Sequence, residues 1–220
     1  MSKKKVAILI SGRGSNMEAL IKVCQDASFP ASIELVISNK KEAYGLEIAQ
    51  SYGIQIQSLN RKNFPNDNEF DNKISAILKE NRIEIICTAG YMKILNADFI
   101  SMFRDKIVNI HPSLLPKYPG LNTHLRAINA KDKKSGATVH FVTEELDSGP
   151  IIMQGSVPIF SNDSSEQLSR RVLEIEHKML VTAISLICAE KIKKRKDTIY
   201  FENKKLSKKG ISFNHLMEQR

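Results

Sequence analysis

Five consecutive apolar residues, Val6-Ala7-Ile8-Leu9-Ile10, run straight into Ser11-Gly12-Arg13-Gly14-Ser15-Asn16. A short apolar run closed by glycine reads as a strand buried on both faces. Helical spacing comes next, over 17–27. The alternation then repeats: strand 33–38, helix 43–52, strand 54–59, helix 67–81, strand 83–89, short helix 97–103 and strand 106–110. In the helix over 67–81, Phe70, Ile74, Ile77 and Leu78 fall on one face, as an amphipathic helix requires. Such alternation predicts an α/β fold, doubly wound around a mainly parallel sheet with helices on both faces. Beyond residue 111 the pattern is less regular. A helix over 125–129, strands over 137–142 and 151–159, a long helix over 164–190 and a strand over 198–201 predict a partly mixed sheet there.

Bulk properties narrow the class. The 220 residues carry a net charge of +9, from 33 Lys/Arg against 24 Asp/Glu. The excess sits at the two ends: Lys3, Lys4 and Lys5, and then ten Lys/Arg against four Asp/Glu over 189–220. A basic terminus can bind nucleic acid or an anionic surface. Few aromatic stacking groups accompany it, so a solvated, partly disordered extension without nucleic-acid binding is expected. No apolar run approaches the ~20 residues needed to span a bilayer. The apolar run near the N-terminus is too short for a signal-peptide core of roughly 7–15 residues, and a cytoplasmic protein is expected. Cys24, Cys87 and Cys188 are odd in number and widely spaced, which indicates neither a disulfide framework nor a zinc site.

Three segments carry chemistry. Between strand and helix, Gly12 and Gly14 allow a sharp turn, and the helix start presents unpaired N–H groups to an anion such as phosphate. Ser15 is placed to bind the same anion or to cap the helix. The spacing is neither the dinucleotide GxGxxG nor a P-loop, and a plain tight turn would look the same. In Asn109-Ile-His111-Pro112-Ser-Leu-Leu-Pro116-Lys-Tyr-Pro119-Gly120, Asn109 and His111 stand two apart at a strand's end and so share a face. The prolines stiffen the loop beyond His111. An amide can donate to a developing oxyanion and an imidazole can exchange protons near neutral pH. The third segment is 135–154, where Thr138, His140 and Val142 share a strand face and Asp147 opens the turn Asp147-Ser-Gly-Pro150. Asp147 is either an ordinary turn residue or a carboxylate that orients His111 and favours its charged form. Spacing alone does not choose.

Taken together, "AILISGRGSNMEALI", "AGYMKIL", "NIHPSLLPKYPGLNTH" and "GATVHFVTEELDSGPIIMQ" closely resemble the folate-dependent formyltransferases, in the form that acts on glycinamide ribotide. The likeness runs in order over about 5–190, which suggests a formyltransferase domain over 1–190 and a basic extension over 191–220. It implies a formyltransferase-like fold and transfer of a formyl group from 10-formyltetrahydrofolate, a cosubstrate, to the amine of the ribotide in purine biosynthesis.

By the same resemblance Asn109, His111 and Asp147 are the catalytic triplet. Gly12, Arg13, Gly14, Ser15 and Asn16 would bind the ribotide phosphate, and Glu176 would contact the ribotide. Met92, Lys93, Ile94 and Leu95, together with Asn109, Thr143, Glu144 and Asp147, would line the folate pocket. His140 would support Asp147 or serve only the fold. No metal is implied, and the partners are small molecules, with the protein a monomer or homodimer. Two departures from the family stand out: Lys93 replaces the usual arginine, and Asn66-Asp67 replaces a pair that contacts the folate tail. The runners-up are another folate-dependent formyltransferase or a formyltetrahydrofolate hydrolase, and, outside this class, a nucleic-acid-binding module.

Overall fold

The computed structural model describes residues 3–218, which divide into two units at the boundary between Asn109 and Ile110. In the first unit five strands lie in the order β3-β2-β1-β4-β5, every neighbouring pair parallel. They are β1 (Lys4–Ile10), β2 (Ala31–Ser38), β3 (Gln55–Ser58), β4 (Ile85–Thr88) and the first three residues of β5 (Ile107–His111), whose last two begin the second unit. Val6 to Ile10 are wholly buried, as expected of the central strand of a sheet flanked by helices. The flanking helices are α1 (Ser15–Cys24), α2 (Tyr44–Ser51), α3 (Asp67–Glu80) and α4 (Ala97–Met102). α1 packs on α2 and α3 on α4.

The strand order reverses between β1 and β4. In open α/β sheets the crevice beyond the carboxyl ends of the strands at such a reversal is where ligands bind. The loops that begin there are Ser11–Gly14 and 89–96. A Gly45 side chain would collide with Ile10 and the Gly12 carbonyl, so α2 approaches the first of these loops only because Gly45 has none.

In the second unit β6 (Lys134–Phe141) pairs antiparallel with β7 (Ile151–Pro158), and β11 (Ile211–Ser212) adds in parallel to the outer edge of β7. The 24-residue α6 (Ser165–Cys188) packs on β6 and β7 through Leu168, Val172, Met179, Leu180, Ala183, Ile184 and Ile187, all buried at helical spacing. Its start is a capping box of Ser164 and Gln167. The short α5 (Thr123–Asn129) precedes β6.

The basic extension departs from expectation. Instead of a disordered terminus it forms β8 (Ile192–Arg195), β9 (Thr198–Phe201) and β10 (Lys204–Lys205) as an antiparallel sheet, then β11 and α7 (Phe213–Glu218). The reason lies in a few apolar positions among the lysines: Ile192, Ile199 and Phe213 are buried. Asn214 also exchanges two hydrogen bonds with the Ser156 backbone, at 2.8 and 2.9 Å. Other elements differ from expectation by a few residues at their ends, and His111 lies inside β5.

Candidate active site

In the first unit the chain leaves β1 through Ser11, Gly12, Arg13 and Gly14. Gly14 is the N-cap of α1 at φ 74°, in the left-handed region, and no side chain caps the helix. Ser15 is therefore the first helical residue and not the cap that its sequence position allowed. The uncapped N–H groups open onto a cleft of about 250 Å³ lined by Ser11 to Asn16, Ala89, Gly90 and Met92. That combination suits an anion. Ser11, which the sequence marks only as the first residue of a turn, holds the cleft's two loops together. Its hydroxyl donates to Asn39 Oδ1 at 2.7 Å and accepts the Met92 N–H at 2.8 Å.

Beside this cleft Met92 and Ile94 are 62 and 68 % exposed, apolar surface available to a flat ligand, whereas Leu95 is buried in the core. The Lys93 ammonium turns inward. It donates to both oxygens of the buried Asp71 at 2.9 and 3.0 Å and to the Ile94 carbonyl at 3.0 Å. Asp67 stands in the first turn of α3, where it pairs with Arg61, and Asn66 caps that helix. The two family departures thus fall on side chains engaged within this unit.

Asn109 is paired in register with Thr88 on β4. The Thr88 hydroxyl donates to Asn109 Oδ1 at 2.8 Å, so the amide's donor end points away from Thr88. Thr88 carries no signal in the sequence beyond its place at a strand's end.

In the second unit His111 is buried and both of its ring nitrogens meet acceptors. Nε2 donates to the Tyr118 carbonyl at 2.9 Å, and Nδ1 lies 3.4 Å from Asp147 Oδ2. The Gly120 N–H donates to the same Asp147 oxygen at 2.8 Å. Asp147 sits at φ 51°, a conformation Asp tolerates better than most residues. The loop between His111 and Gly120 is held by more than its prolines. Thr138 on β6 donates to the Ser113 carbonyl and accepts the Leu115 N–H, and Gln154 on β7 donates to the Leu115 carbonyl.

His140 is almost wholly buried, and burial pushes its pKa down. Its Nδ1 donates to the Phe141 carbonyl at 3.0 Å, which leaves Nε2 toward Asp147 Oδ1 at 3.9 Å, too long for a direct hydrogen bond. The β6–β7 register shifts between Val139 and His140. His124 lies within electrostatic reach of His111: burial first, and then His111, lowers its pKa. Thr143 bonds the Glu145 carbonyl, Glu144 is exposed, and Glu176 is buried on α6. Among the described residues no group of His, Cys, Asp and Glu could hold a metal ion, and no helix is long and apolar enough to cross a membrane.

The family profile described as formyl transferase matches residues 4–184. The chain belongs to the formyltransferase family. It is 45% identical over 209 residues to a phosphoribosylglycinamide formyltransferase of Haemophilus influenzae, covering 95% of this chain and 99% of that one. It is also 43% identical over 187 residues to the trifunctional purine biosynthetic protein adenosine-3 of Homo sapiens, 85% of this chain but only 18% of the longer protein. The solved phosphoribosylglycinamide formyltransferase of Coxiella burnetii superposes with a TM-score of 0.92 at 35% identity, over 96% of this chain and all of that one. The chain is thus an enzyme of formyl transfer, with a fold shared by glycinamide ribotide transformylases.

Proposed function

We propose that this enzyme moves the formyl group of 10-formyltetrahydrofolate to the amine of 5'-phosphoribosylglycinamide, a step of purine biosynthesis in the cytoplasm. The observation that carries the reading is the pairing of His111 with Asp147, each fixed by a backbone group of the same loop. The neutral amine attacks the formyl carbon and gives a tetrahedral intermediate. The Asn109 amide and protonated His111 stabilise its oxyanion, which is worth most in a water-poor site. Asp147 keeps His111 oriented and holds a water that relays a proton from the attacking amine to the departing folate nitrogen as the carbon–nitrogen bond breaks. His140 is buried and spends its N–H on the Phe141 carbonyl, so it supports Asp147 only through a bridging water.

Gly12 to Asn16, which line the first unit's cleft, hold the ribotide phosphate; by the family resemblance Glu176 contacts the ribotide. The exposed Met92 and Ile94 support folate contacts in the first unit, with the backbone of Lys93 and Leu95; by the family resemblance Thr143 and Glu144 are folate contacts as well. In this reading 1–190 is the formyltransferase domain and 191–220 an extension, the partners are small molecules, and the protein works as a monomer or homodimer without metal.

The test is direct. Purified protein given both substrates releases tetrahydrofolate only when the ribotide is present. Release without the ribotide would instead mark a formyltetrahydrofolate hydrolase.

A further inference from the structure

The second unit holds another cavity, of about 460 Å³, larger than the phosphate cleft and lined by none of the proposed catalytic or substrate-binding residues. Small-ligand pockets are typically about 300–1,000 Å³, so its size suits a metabolite. Leu114, Leu115 and Pro116 supply an apolar wall, and four exposed lysines, Lys117, Lys133, Lys134 and Lys209, are among the lining residues, with a single acid, Asp132. That acid is already engaged. Its carboxylate accepts Lys117 Nζ at 2.9 Å by both oxygens and the Tyr118 hydroxyl at 2.9 Å. Among the described residues no carboxylate pairs with Lys133, Lys134 or Lys209. Like charges gathered around one concavity raise a positive potential there that attracts anions.

We infer that this cavity is a second anion site, taking a small organic phosphate with its charge on Lys133, Lys134 and Lys209 and its carbon frame on Leu114 and Pro116. Lys209 comes from the C-terminal extension, which gains a purpose beyond closing the edge of β7. The cavity's wall is also the loop that serves His111: Tyr118 gives its carbonyl to the imidazole and its hydroxyl to Asp132. A ligand that competes for Lys117 therefore acts on the segment carrying the catalytic contacts. This link to catalysis rests on the proposed formyl transfer; the binding itself does not.

Calorimetric titration of the full chain at low salt tests the site, with ADP as the organic phosphate and inorganic pyrophosphate as the bare anion. Saturable ADP binding is expected. It should weaken at least tenfold when Lys134→Glu and Lys209→Glu are combined, and stay unchanged in Gly12→Val. If the double reversal does not fold, Lys133→Gln with Lys134→Gln, which keeps the aliphatic stems, should also weaken binding. No saturable binding, or undiminished binding by folded variants, overturns the site. Loss of binding in Gly12→Val assigns the nucleotide to the phosphate loop and overturns it too. Pyrophosphate binding as tightly as ADP would refute a role for the apolar wall, and with it the organic ligand. Because binding is read without turnover, its failure is distinct from any failure of formyl transfer.

Discussion

One oxygen of Asp147, Oδ2, accepts the Gly120 N–H at 2.8 Å and lies 3.4 Å from His111 Nδ1. The carboxylate therefore has two tasks that can be separated, because an amide can accept the N–H but carries no charge. Asp147→Asn should keep the left-handed backbone, which Asn also tolerates, and the bond to Gly120. Removing one such electrostatic group typically costs about 10²–10³ in rate, so kcat should fall by that order with KM little changed. An Asp147→Asn enzyme with undiminished kcat would leave Asp147 a turn residue.

The phosphate loop can be tested without disturbing the fold, but not at Gly14. A side chain there would meet Met17 and Gly45 at 3.0 and 3.1 Å on a left-handed backbone. Around Gly12 an added Cβ meets nothing within 4 Å. Gly12→Val should fold normally and project into the cleft, raising KM for the ribotide at least tenfold while KM for the folate stays within about twofold. Equal losses for both substrates would make the loop structural.

Thr88 orients Asn109 across the β4–β5 pair. Thr88→Val keeps the shape and removes the donor, so the amide loses the bond that decides which end faces the substrate. A neutral hydrogen bond contributes about 0.5–1.5 kcal/mol, so kcat should fall roughly two- to tenfold with the melting temperature nearly unchanged. Steady-state kinetics beside a thermal melt would separate this from simple destabilisation.

Asp163 and Arg171 form a two-pronged ion pair at 2.6 and 2.8 Å ahead of and within α6. Hydrogen bonding from Arg171 holds the Asp163 carboxyl down at about 2. A carboxylate depressed in the folded state contributes stability above its ordinary pKa of about 4 and loses it as pH falls through the folded value. Asp163→Asn should therefore be less stable than the parent at pH 6, with the gap closing between pH 4 and 2. Urea midpoints that differ equally at pH 6 and pH 2 would exclude this assignment.

The extension should matter to stability more than to chemistry. Phe213 is buried against Gly155, and β11 covers the edge of β7. Losing a buried phenylalanine costs about 3–5 kcal/mol, so removing 203–220 should lower the melting temperature by on the order of 10 °C. Below that temperature kcat should stay within a few-fold. A truncated protein that melts as the parent does would show that these contacts contribute little.

Much of this protein is written in local pattern. Strand, glycine turn and helix around Ser11-Gly12-Arg13-Gly14 follow from apolar run length and glycine freedom, and the parallel sheet of the first unit follows from their repetition. The placing of Asn109 and His111 on one strand face needs only a period of two. The extension defeats such a reading because its net charge hides a few apolar residues that need a partner surface to become a core. What pattern cannot contain is any contact made at long range. The Thr88 bond to Asn109, the hold of Thr138 and Gln154 on the proline loop, and Ser11 bridging to Asn39 and Met92 all join residues 21 to 81 positions apart. Asp147 has two equally local readings, turn residue or partner of His111. Only the folding of its loop against 111–120 placed its carboxylate at the imidazole, because distance in space, unlike hydrophobic period, is not a property of a segment.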